Sequence, residues 1–183
     1  MAPPPANHEQ FLSLMENHRR ALLKVCWAYG KSSHDRDDLL QEMASRLWAS
    51  FGKYDSNRLF STWMFRIALN VAIDWRRRQS RRPRETASLQ DAGAGITDHS
   101  TEDDPRHEQL AEVHELMEQL GEADRAILLL HLEAHSHREI GEILGMSESN
   151  VGSRFHRIKN TLRQSVQGSP SASQEKIDAT RRT

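Results

Sequence analysis

The sequence contains a single cysteine, Cys26, and lacks the long apolar runs of membrane and exported proteins. One thiol has no partner within the chain, so a framework of disulfide bonds is excluded, and a buried thiol is the expected state of Cys26. No apolar run is long enough to span a bilayer or to form a signal peptide. The sequence therefore predicts a soluble, cytoplasmic protein without membrane insertion.

Several signals of catalytic and metal-binding proteins are also missing. No segment alternates apolar and polar residues as a half-buried strand does, and there is no internal repeat, glycine-rich phosphate loop or paired-cysteine metal motif. No nucleophile, base and orienting group come together in sequence, so neither an enzyme with a small-molecule substrate nor a cofactor is predicted. His131, His135 and His137 lie close together, but across the predicted boundary of two helices, so no metal site is predicted.

Apolar residues recur at helical spacing in two blocks, residues 10–79 and residues 106–166. The segment between them, residues 80–105, is rich in Gly, Ser, Thr, Asp and Pro and has no periodicity, which is typical of a flexible linker. The proline-rich start, residues 1–9, is predicted to be flexible and the tail, residues 167–183, to be disordered. The predicted fold class is therefore all-α, with two small helical domains joined by a linker.

The segment from Ser136 to Arg163 predicts two short helices hinged at Gly145, with Ser147 as the N-cap of the second. The second helix has one continuous apolar stripe, formed by Val151, Phe155, Ile158 and Leu162. Its opposite side carries groups able to reach base edges or phosphates, namely Ser149, Ser153, His156, Arg157 and Asn160. This pattern predicts a helix-turn-helix that binds nucleic acid. The alternative is an ordinary helical hairpin with a solvated basic face.

A longer helix is predicted from Ser61, as N-cap candidate, to Gln79. One face is apolar, with Phe60, Met64, Ile67, Val71 and Trp75. The adjacent face combines an indole with polar and charged groups, at Trp63, Arg66, Asn70, Asp74 and Arg77, and more arginines follow. Bases would stack on the indole while arginines contact phosphates, so this face predicts binding of single-stranded or melted DNA. The alternative is that Trp63 is a core aromatic and the arginines end a solvated helix.

The helix before it, predicted from Asp35 to about Ser50, has an acidic ridge opposite its buried stripe. The ridge consists of Asp37, Asp38, Gln41 and Glu42. The formal net charge of the chain is only −1, from 25 basic and 26 acidic side chains, but the two signs are segregated along the sequence. An acidic ridge suits a basic protein partner and repels DNA. The alternative is a charged surface that only keeps the protein soluble.

Three segments together resemble the extracytoplasmic-function (ECF) sigma factors of bacterial RNA polymerase: DDLLQEMASRLW, FSTWMFRIALNVAIDWRRR and LGEADRAILLLHLEAHSHREIGEILGMSESNVGSRFHRIKNTLR. The resemblance covers nearly all of the chain outside its start, linker and tail. It implies that residues 10–79 are sigma region two and that residues 106–166 are sigma region four, with the helix-turn-helix at 136–163. The implied function is to bind core RNA polymerase, to direct it to promoters through their minus-thirty-five and minus-ten elements, and to promote DNA melting.

The resemblance assigns residues to three contact surfaces. The core-polymerase surface, which in the family docks on the clamp helices of the largest subunit, comprises Asp37, Asp38, Leu39, Gln41 and Glu42. The minus-ten surface comprises Lys53, Tyr54, Arg58, Phe60, Trp63, Arg66, Asn70, Asp74, Arg76 and Arg77. The minus-thirty-five surface comprises Ser149, Asn150, Gly152, Ser153, Arg154, His156 and Arg157. Many relatives have Lys or Arg where this chain has Gly152, so a phosphate contact is lost there. The polymerase flap and an anti-sigma factor are further implied partners.

The alternative class is a one-component regulator or a response regulator with the same kind of DNA-binding end. Such a protein requires a sensing or phosphoacceptor domain before its helix-turn-helix, built from strands and helices. The first block, residues 10–79, shows the pattern of neither. Binding to an operator as a dimer, without polymerase, would favour this alternative.

Overall fold

The computed structural model describes residues 5–81 and 113–168, and within these ranges the regular structure is entirely helical. The elements in chain order are α1 (Pro5–Asn17), α2 (Arg19–Tyr29), α3 (Ser33–Ser50), a 3₁₀ turn (Phe51–Lys53), α4 (Phe60–Arg81), α5 (described over 113–118), α6 (Glu122–Leu132), α7 (His137–Leu144) and α8 (Glu148–Gly168). The predicted all-α class with two helical domains is confirmed. Most of the predicted linker and tail, residues 82–105 and 169–183, lies outside the described residues.

The core of the N-terminal unit is formed where α2, α3 and α4 pack together. A capping box fixes the start of α3. The Ser32 hydroxyl accepts a hydrogen bond from the Asp35 amide at 3.0 Å, and the Asp35 carboxylate accepts one from the Ser32 amide at 3.1 Å. The apolar stripe of α3 is buried against α4, at Leu39, Met43 and Leu47. The capping box places the start of α3 at Ser33, two residues before the predicted Asp35.

Helix α1 begins at Pro5, so residues 5–9, within the start that was predicted to be flexible, are helical, and residues 1–4 lie outside the described residues. The fixed φ of proline suits the first position of a helix. Phe11 then fixes α1 to the N-terminal unit, since its ring lies 5.0 Å from Trp48 and 5.1 Å from Phe51, measured between centroids. The His8 ring meets Trp48 edge-on at 5.1 Å. These aromatic contacts bury one side of α1 and order it.

Three further predicted boundaries differ by one or two residues. Helix α4 begins at Phe60, so Ser61 lies within its first turn and is not the N-cap. The same helix ends at Arg81, two residues beyond the predicted Gln79. Helix α8 continues to Gly168, two residues into the predicted tail. Polar residues that continue a helix cost little free energy, so periodicity alone does not fix where it ends.

The C-terminal unit contains the predicted helix-turn-helix. Helix α7 has a capping box between Ser136 and Glu139, and it ends at Gly145, whose left-handed φ of 68° is the usual C-terminal cap conformation. The Ser147 hydroxyl accepts from the Asn150 amide at 3.3 Å, as predicted for the N-cap of the second helix. Val151 and Ile158 of α8 are buried. The two helices therefore form one packed motif with the polar side of α8 outward.

The two units contact each other in this structure. Helices α2 and α4 of the first unit pack against α6 and α7 of the second. The Phe65 ring meets His135 edge-on at 5.3 Å, and Trp27 meets His114 at 5.2 Å. No helix in the described part of the chain is long and apolar enough to cross a membrane.

Cys26 of α2 is buried in the N-terminal core, as expected. Burial raises the pKa of its thiol to about 12. At neutral pH the thiol is therefore protonated, and its role is that of a small apolar side chain.

Candidate protein and nucleic-acid interfaces

The acidic ridge lies on α3 beside an open groove of about 560 Å³. The groove is lined by Asp38, Gln41, Glu42, Trp75, Arg78 and Gln79. Asp37, Asp38 and Gln41 are exposed, and the Glu42 carboxylate accepts two hydrogen bonds from Arg78, at 2.8 and 2.6 Å. Arg78 belongs to the run of arginines that the sequence predicts to contact phosphates. Its pairing with Glu42 was not predicted, because nothing in the order of residues shows that α4 crosses α3 at this point.

Leu39 differs from the other residues predicted to form the core-polymerase surface. Its side chain is fully buried in the N-terminal core. It therefore cannot contact a partner directly while this core is intact, and it stabilises the helix that carries the ridge. The helical spacing already places Leu39 in line with Met43 and Leu47, on the buried stripe of α3.

An aromatic cluster lies where the loop after the 3₁₀ turn meets α4. The Trp63 ring lies 5.2 Å from Tyr54, 5.4 Å from Phe60 and 6.2 Å from Phe51. Phe60 is buried, whereas Tyr54 and Trp63 keep part of their rings exposed. The Tyr54 hydroxyl donates to the Arg58 carbonyl at 2.7 Å and so holds the loop in place. Trp63 is thus packed on one side and accessible on the other.

The polar residues of the α4 face are exposed as predicted from their helical positions. Arg66, Asn70 and Asp74 follow one another at four-residue intervals on the surface of α4, beyond Trp63. Lys53 and Arg58 are exposed before the helix, at the end of the 3₁₀ turn and in the following loop. The structure therefore combines an accessible indole, an amide and three cationic side chains on one side of the N-terminal unit.

Arg76 and Arg77 are placed differently from this group. Arg76 is mostly buried: it donates to the Tyr29 carbonyl at 3.3 Å and forms an ion pair with Glu118 at 2.5 Å. Arg77 is exposed, but its guanidinium binds Glu122 at 3.0 Å. Arg76 and Arg77, which are both predicted to contact DNA, are thus paired with carboxylates of the C-terminal unit.

The polar side of α8 is accessible. Ser149, Asn150, Ser153, His156 and Arg157 are exposed, and the His156 ring lies within hydrogen-bond distance of the Asn160 amide, at 3.3 Å. Arg154 differs, because it donates to Asp124 of α6 at 2.6 Å and is half-buried. Its charge is partly neutralised by that contact, and the contact fixes α8 against α6.

Gly152 is half-buried at the side of α8 that faces α7. A methyl group added at this position would meet the nearest atom, Nδ1 of His137, at 3.6 Å, which is an ordinary van der Waals distance. The sequence interpretation that a phosphate contact is missing here stays a prediction. The structure adds that the position has room for a side chain.

We expect Gly152→Ala to stabilise the protein by up to about 1 kcal/mol, because alanine loses less backbone entropy in a helix and meets no clash here. Thermal denaturation followed by circular dichroism measures the effect. A lower midpoint than that of the parent protein would contradict the prediction.

Two of the three clustered histidines pack on one phenyl ring. The His131 ring lies 4.0 Å from Phe155 and the His137 ring 5.6 Å from it, with 6.2 Å between the two histidines, measured between centroids. Across residues 5–81 and 113–168, no three His, Cys, Asp or Glu side chains are grouped so that they could hold a metal ion.

Arg125 is a buried charged residue that sequence reasoning missed. Its side chain is 2% exposed, and it donates to the carbonyls of Met117 at 3.0 Å, Ala28 at 2.9 Å and Leu120 at 3.4 Å. Burial lowers the pKa of the guanidinium, although Glu118 opposes this effect. Its burial could have been predicted from its position in α6, four residues before buried Leu129 on the apolar side of the helix.

Comparisons with known proteins agree with this arrangement. Residues 14–82 match the family model of sigma-70 region 2, and residues 110–162 match that of sigma-70 region 4. The chain is 31% identical to the RNA polymerase sigma factor NccH of Alcaligenes xylosoxydans xylosoxydans, over 87% of this chain and 88% of that protein. It is 30% identical to the ECF RNA polymerase sigma-E factor of Haemophilus influenzae, over 74% of this chain and 77% of that protein.

Two solved structures share the fold. One is CnrH in complex with the cytosolic domain of CnrY, with a TM-score of 0.66 and 23% identity over 87% of this chain and 89% of that one. The other is the sigma factor RpoE in complex with the anti-sigma factor NepR from Bartonella quintana, with a TM-score of 0.68 and 17% identity over 87% of this chain and 98% of that one.

A region-two match is followed along the chain by a region-four match that contains the helix-turn-helix. The chain belongs to the ECF family of RNA polymerase sigma factors. Sigma factors are in general transcription regulators rather than enzymes.

Proposed function

We propose that this chain binds core RNA polymerase in the cytoplasm, directs it to promoters with specific minus-thirty-five and minus-ten elements, and promotes melting of the DNA. The observation that carries the proposal is the presence of two different accessible surfaces on one chain. An aromatic and polar face on α4 suits unpaired bases, whereas the polar side of α8 suits intact duplex.

The α4 face can offset much of the free energy that strand separation costs. Extruding a base from the duplex costs a few kcal/mol. Stacking of a base on an aromatic ring returns about 1 to 3 kcal/mol. Trp63 is braced by Tyr54 and Phe60, so its accessible side is held in place before DNA arrives. Asn70 and Arg66 supply hydrogen bonds and positive charge beside that ring.

The α8 side supports recognition of the minus-thirty-five element. Its first turns carry Ser149, Asn150 and Ser153, which are short donors and acceptors suited to base edges in a major groove. Arg157 and His156 follow one or two turns later and suit phosphates. The ion pair between Arg154 and Asp124 orients the helix for this role.

The acidic ridge on α3 supports docking on the clamp helices of core polymerase. Asp37, Asp38 and Gln41 are exposed together, and they lie on a different helix from the face around Trp63. Complementary charge chiefly speeds the association of two proteins and fixes their orientation.

Control by an anti-sigma factor is part of the proposal. Of the solved structures of similar fold, one contains the sigma factor RpoE with the anti-sigma factor NepR, and another contains CnrH with the cytosolic domain of CnrY. Two proteins of this architecture thus bind a protein partner, which in one case is an anti-sigma factor.

Run-off transcription by purified core polymerase, with and without this chain, tests the proposed function. The template is the promoter of its own gene neighbourhood, and the expected result is a discrete transcript that requires the chain. If the chain neither associates with core polymerase nor yields a transcript, the proposal is wrong.

We expect Trp63→Ala to reduce promoter opening roughly 10- to 100-fold, because about 1 to 3 kcal/mol of base stacking is lost. Asn70→Ala is expected to have a smaller effect in the same direction. Permanganate footprinting measures opening, and gel filtration with core enzyme measures assembly, which should not change. Trp63→Phe retains a stacking ring and should recover much of the activity. Asn17→Ala, at an exposed position of α1, is the control for Asn70. Normal opening by the alanine variants would refute the assignment.

We expect the pair Asp38→Lys and Glu42→Lys to weaken assembly with core polymerase at least tenfold, since the ridge changes sign and would repel a basic partner. The matched control is Glu9→Lys with Glu16→Lys, which makes the same charge change on the exposed side of α1. Co-elution with core enzyme at several protein concentrations gives the apparent affinity. Equal affinities for the two double variants would show that the ridge is only a solvated surface.

A further inference from the structure

The two units meet at an interface, called the joint below, in which buried polar groups of one unit pair with groups of the other. The N-terminal side is formed by α2 and α4, and the C-terminal side by α5, α6 and the turn after α6. The Tyr29 hydroxyl donates to the Glu122 carbonyl at 2.8 Å, and the Arg125 guanidinium donates to the Ala28 carbonyl at 2.9 Å. Tyr29 is fully buried and Arg125 is 2% exposed. Such satisfied buried groups favour one specific arrangement of the two surfaces.

Glu118 is the electrostatic centre of the joint. Its carboxylate lies 2.5 Å from Arg76, 3.3 Å from Arg125 and 3.5 Å from Lys31. Burial alone would raise the pKa of Glu118, but the hydrogen bond and charge of Arg76, with the charges of Arg125 and Lys31, outweigh burial and lower the pKa. Two of these three cations belong to the N-terminal unit, so the ionised carboxylate binds the units together.

Further ion pairs surround this centre. Arg77 of α4 binds Glu122 at the start of α6 at 3.0 Å. Lys24 of α2 forms an ion pair with Glu133, in the turn after α6. The joint therefore unites three carboxylates of the C-terminal unit with cations of the N-terminal unit.

The same joint occupies residues assigned to DNA. Arg76 and Arg77 belong to the predicted minus-ten surface, yet their guanidinium groups bind Glu118 and Glu122 in this structure. One terminal nitrogen of Arg76 donates to Glu118 and Nε of Arg77 donates to Glu122, so these donors are not available to a phosphate. Glu118 and Glu122 therefore hold two cations that the predicted minus-ten surface would offer to phosphates.

Binding both promoter elements requires the units to separate. Elements centred about 25 base pairs apart lie roughly 85 Å apart along B-DNA, at about 3.4 Å per base pair. The two units are in direct contact here. The chain between them, residues 82–112, has 31 residues. Fully extended, a segment of that length spans up to about 100 Å. The segment is thus long enough for the two units to separate and reach both promoter elements.

We propose that Glu118 and Glu122 act as an intramolecular stand-in for promoter phosphates, which closes the free chain on Arg76 and Arg77 and lowers its affinity for DNA until the units separate. This inference rests on the proposed function. The apparent affinity of a binding surface falls in proportion to the fraction of molecules in which it is open, so closure weakens DNA binding without altering the surface itself.

The test compares two double variants that lose the same charge. Glu118→Gln with Glu122→Gln removes the two carboxylates that bind Arg76 and Arg77, whereas Glu115→Gln with Glu142→Gln removes two exposed ones from α5 and α7. The separation of the units is measured by small-angle X-ray scattering without DNA or polymerase. DNA binding is measured by fluorescence anisotropy with a labelled single-stranded 20-mer of mixed sequence.

We expect the joint variant to have a larger radius of gyration than the parent, and to bind the oligonucleotide at least tenfold more tightly than the control variant. An unchanged radius of gyration overturns the closed joint. A larger radius with the affinity of the control variant overturns the competition with DNA. Scattering needs neither polymerase nor promoter, so it tests the closed joint independently of the proposed function. Failure to assemble with core enzyme would refute the proposed function without changing the scattering result.

A second set of variants covers the case in which the joint variant fails to fold. Lys24→Glu and Glu133→Lys each place like charges across the joint, at residues outside every predicted DNA or polymerase surface. We expect each single reversal to enlarge the radius of gyration and the swapped double variant to restore it. If the double variant is no more compact than the single reversals, the two groups do not interact, and the closed joint is refuted.

Discussion

Replacement of Arg125 by alanine is expected to destabilise the protein by about 3 kcal/mol. The substitution leaves the carbonyls of Met117, Ala28 and Leu120 without the donor that satisfies them, and each buried unpaired carbonyl costs about 1 to 3 kcal/mol. It also leaves a cavity under Tyr29, whose ring lies 5.4 Å from the guanidinium. Glu118 retains Arg76 and Lys31 as partners, which limits the loss.

Urea denaturation followed by circular dichroism measures this loss. Arg125→Lys is expected to recover little of it, because an ammonium group does not reach several carbonyls with the planar fork of a guanidinium. Arg163→Ala, at an exposed position of α8, is the matched control and should change stability by less than about 0.5 kcal/mol. Equal midpoints for Arg125→Ala and Arg163→Ala would show that the buried hydrogen bonds contribute nothing net.

Replacement of Gly141 by alanine is expected to destabilise the helix-turn-helix by about 2 kcal/mol, within the usual range for forced overpacking. The added methyl group would lie 2.6 Å from the Met146 carbonyl oxygen, which is backbone and cannot rotate away. The Met146 amide also donates to the Gly141 carbonyl at 2.9 Å, so the turn is held close to α7 from both directions. The free energy gained from the higher helix propensity of alanine is smaller than the free energy lost to this clash.

Amide hydrogen exchange of α7 and α8 measures the local effect of Gly141→Ala. Tryptophan fluorescence reports the N-terminal unit in the same sample, because all four tryptophans lie between residues 27 and 75. Gly152→Ala is the matched control: it makes the same change in the adjacent helix and is expected to act in the opposite direction. Faster exchange in both variants, or in neither, would contradict the packing argument for Gly141.

The helices and their polar faces followed from periodicity and capping residues, whereas the assignment of these faces to three contact surfaces came from the resemblance. Ser136 and Gly145 mark the ends of α7 in the sequence as they do in the structure. The helix over residues 5–9 was not predicted, because it depends on contacts of Phe11 with Trp48 and Phe51, and contacts between separate helices cannot be read from spacing.

The joint could not be predicted either. Glu118 and Arg76 are separated by 42 residues, and no local pattern links them. Arg125 could have been recognised as a charged residue on an apolar face, but the partners that satisfy it could not. The positive φ of 63° at Ala134, in the turn between α6 and α7, is equally invisible, because this conformation is uncommon for any residue other than glycine.

The shielded thiol of Cys26 restricts how oxidants can act on this protein. Oxidation and disulfide exchange proceed through the thiolate, and a pKa of about 12 leaves almost none of it at neutral pH. Peroxide or glutathione disulfide should therefore leave Cys26 of the folded chain unmodified. A response of this protein to oxidants therefore cannot start at Cys26 while the N-terminal core is folded.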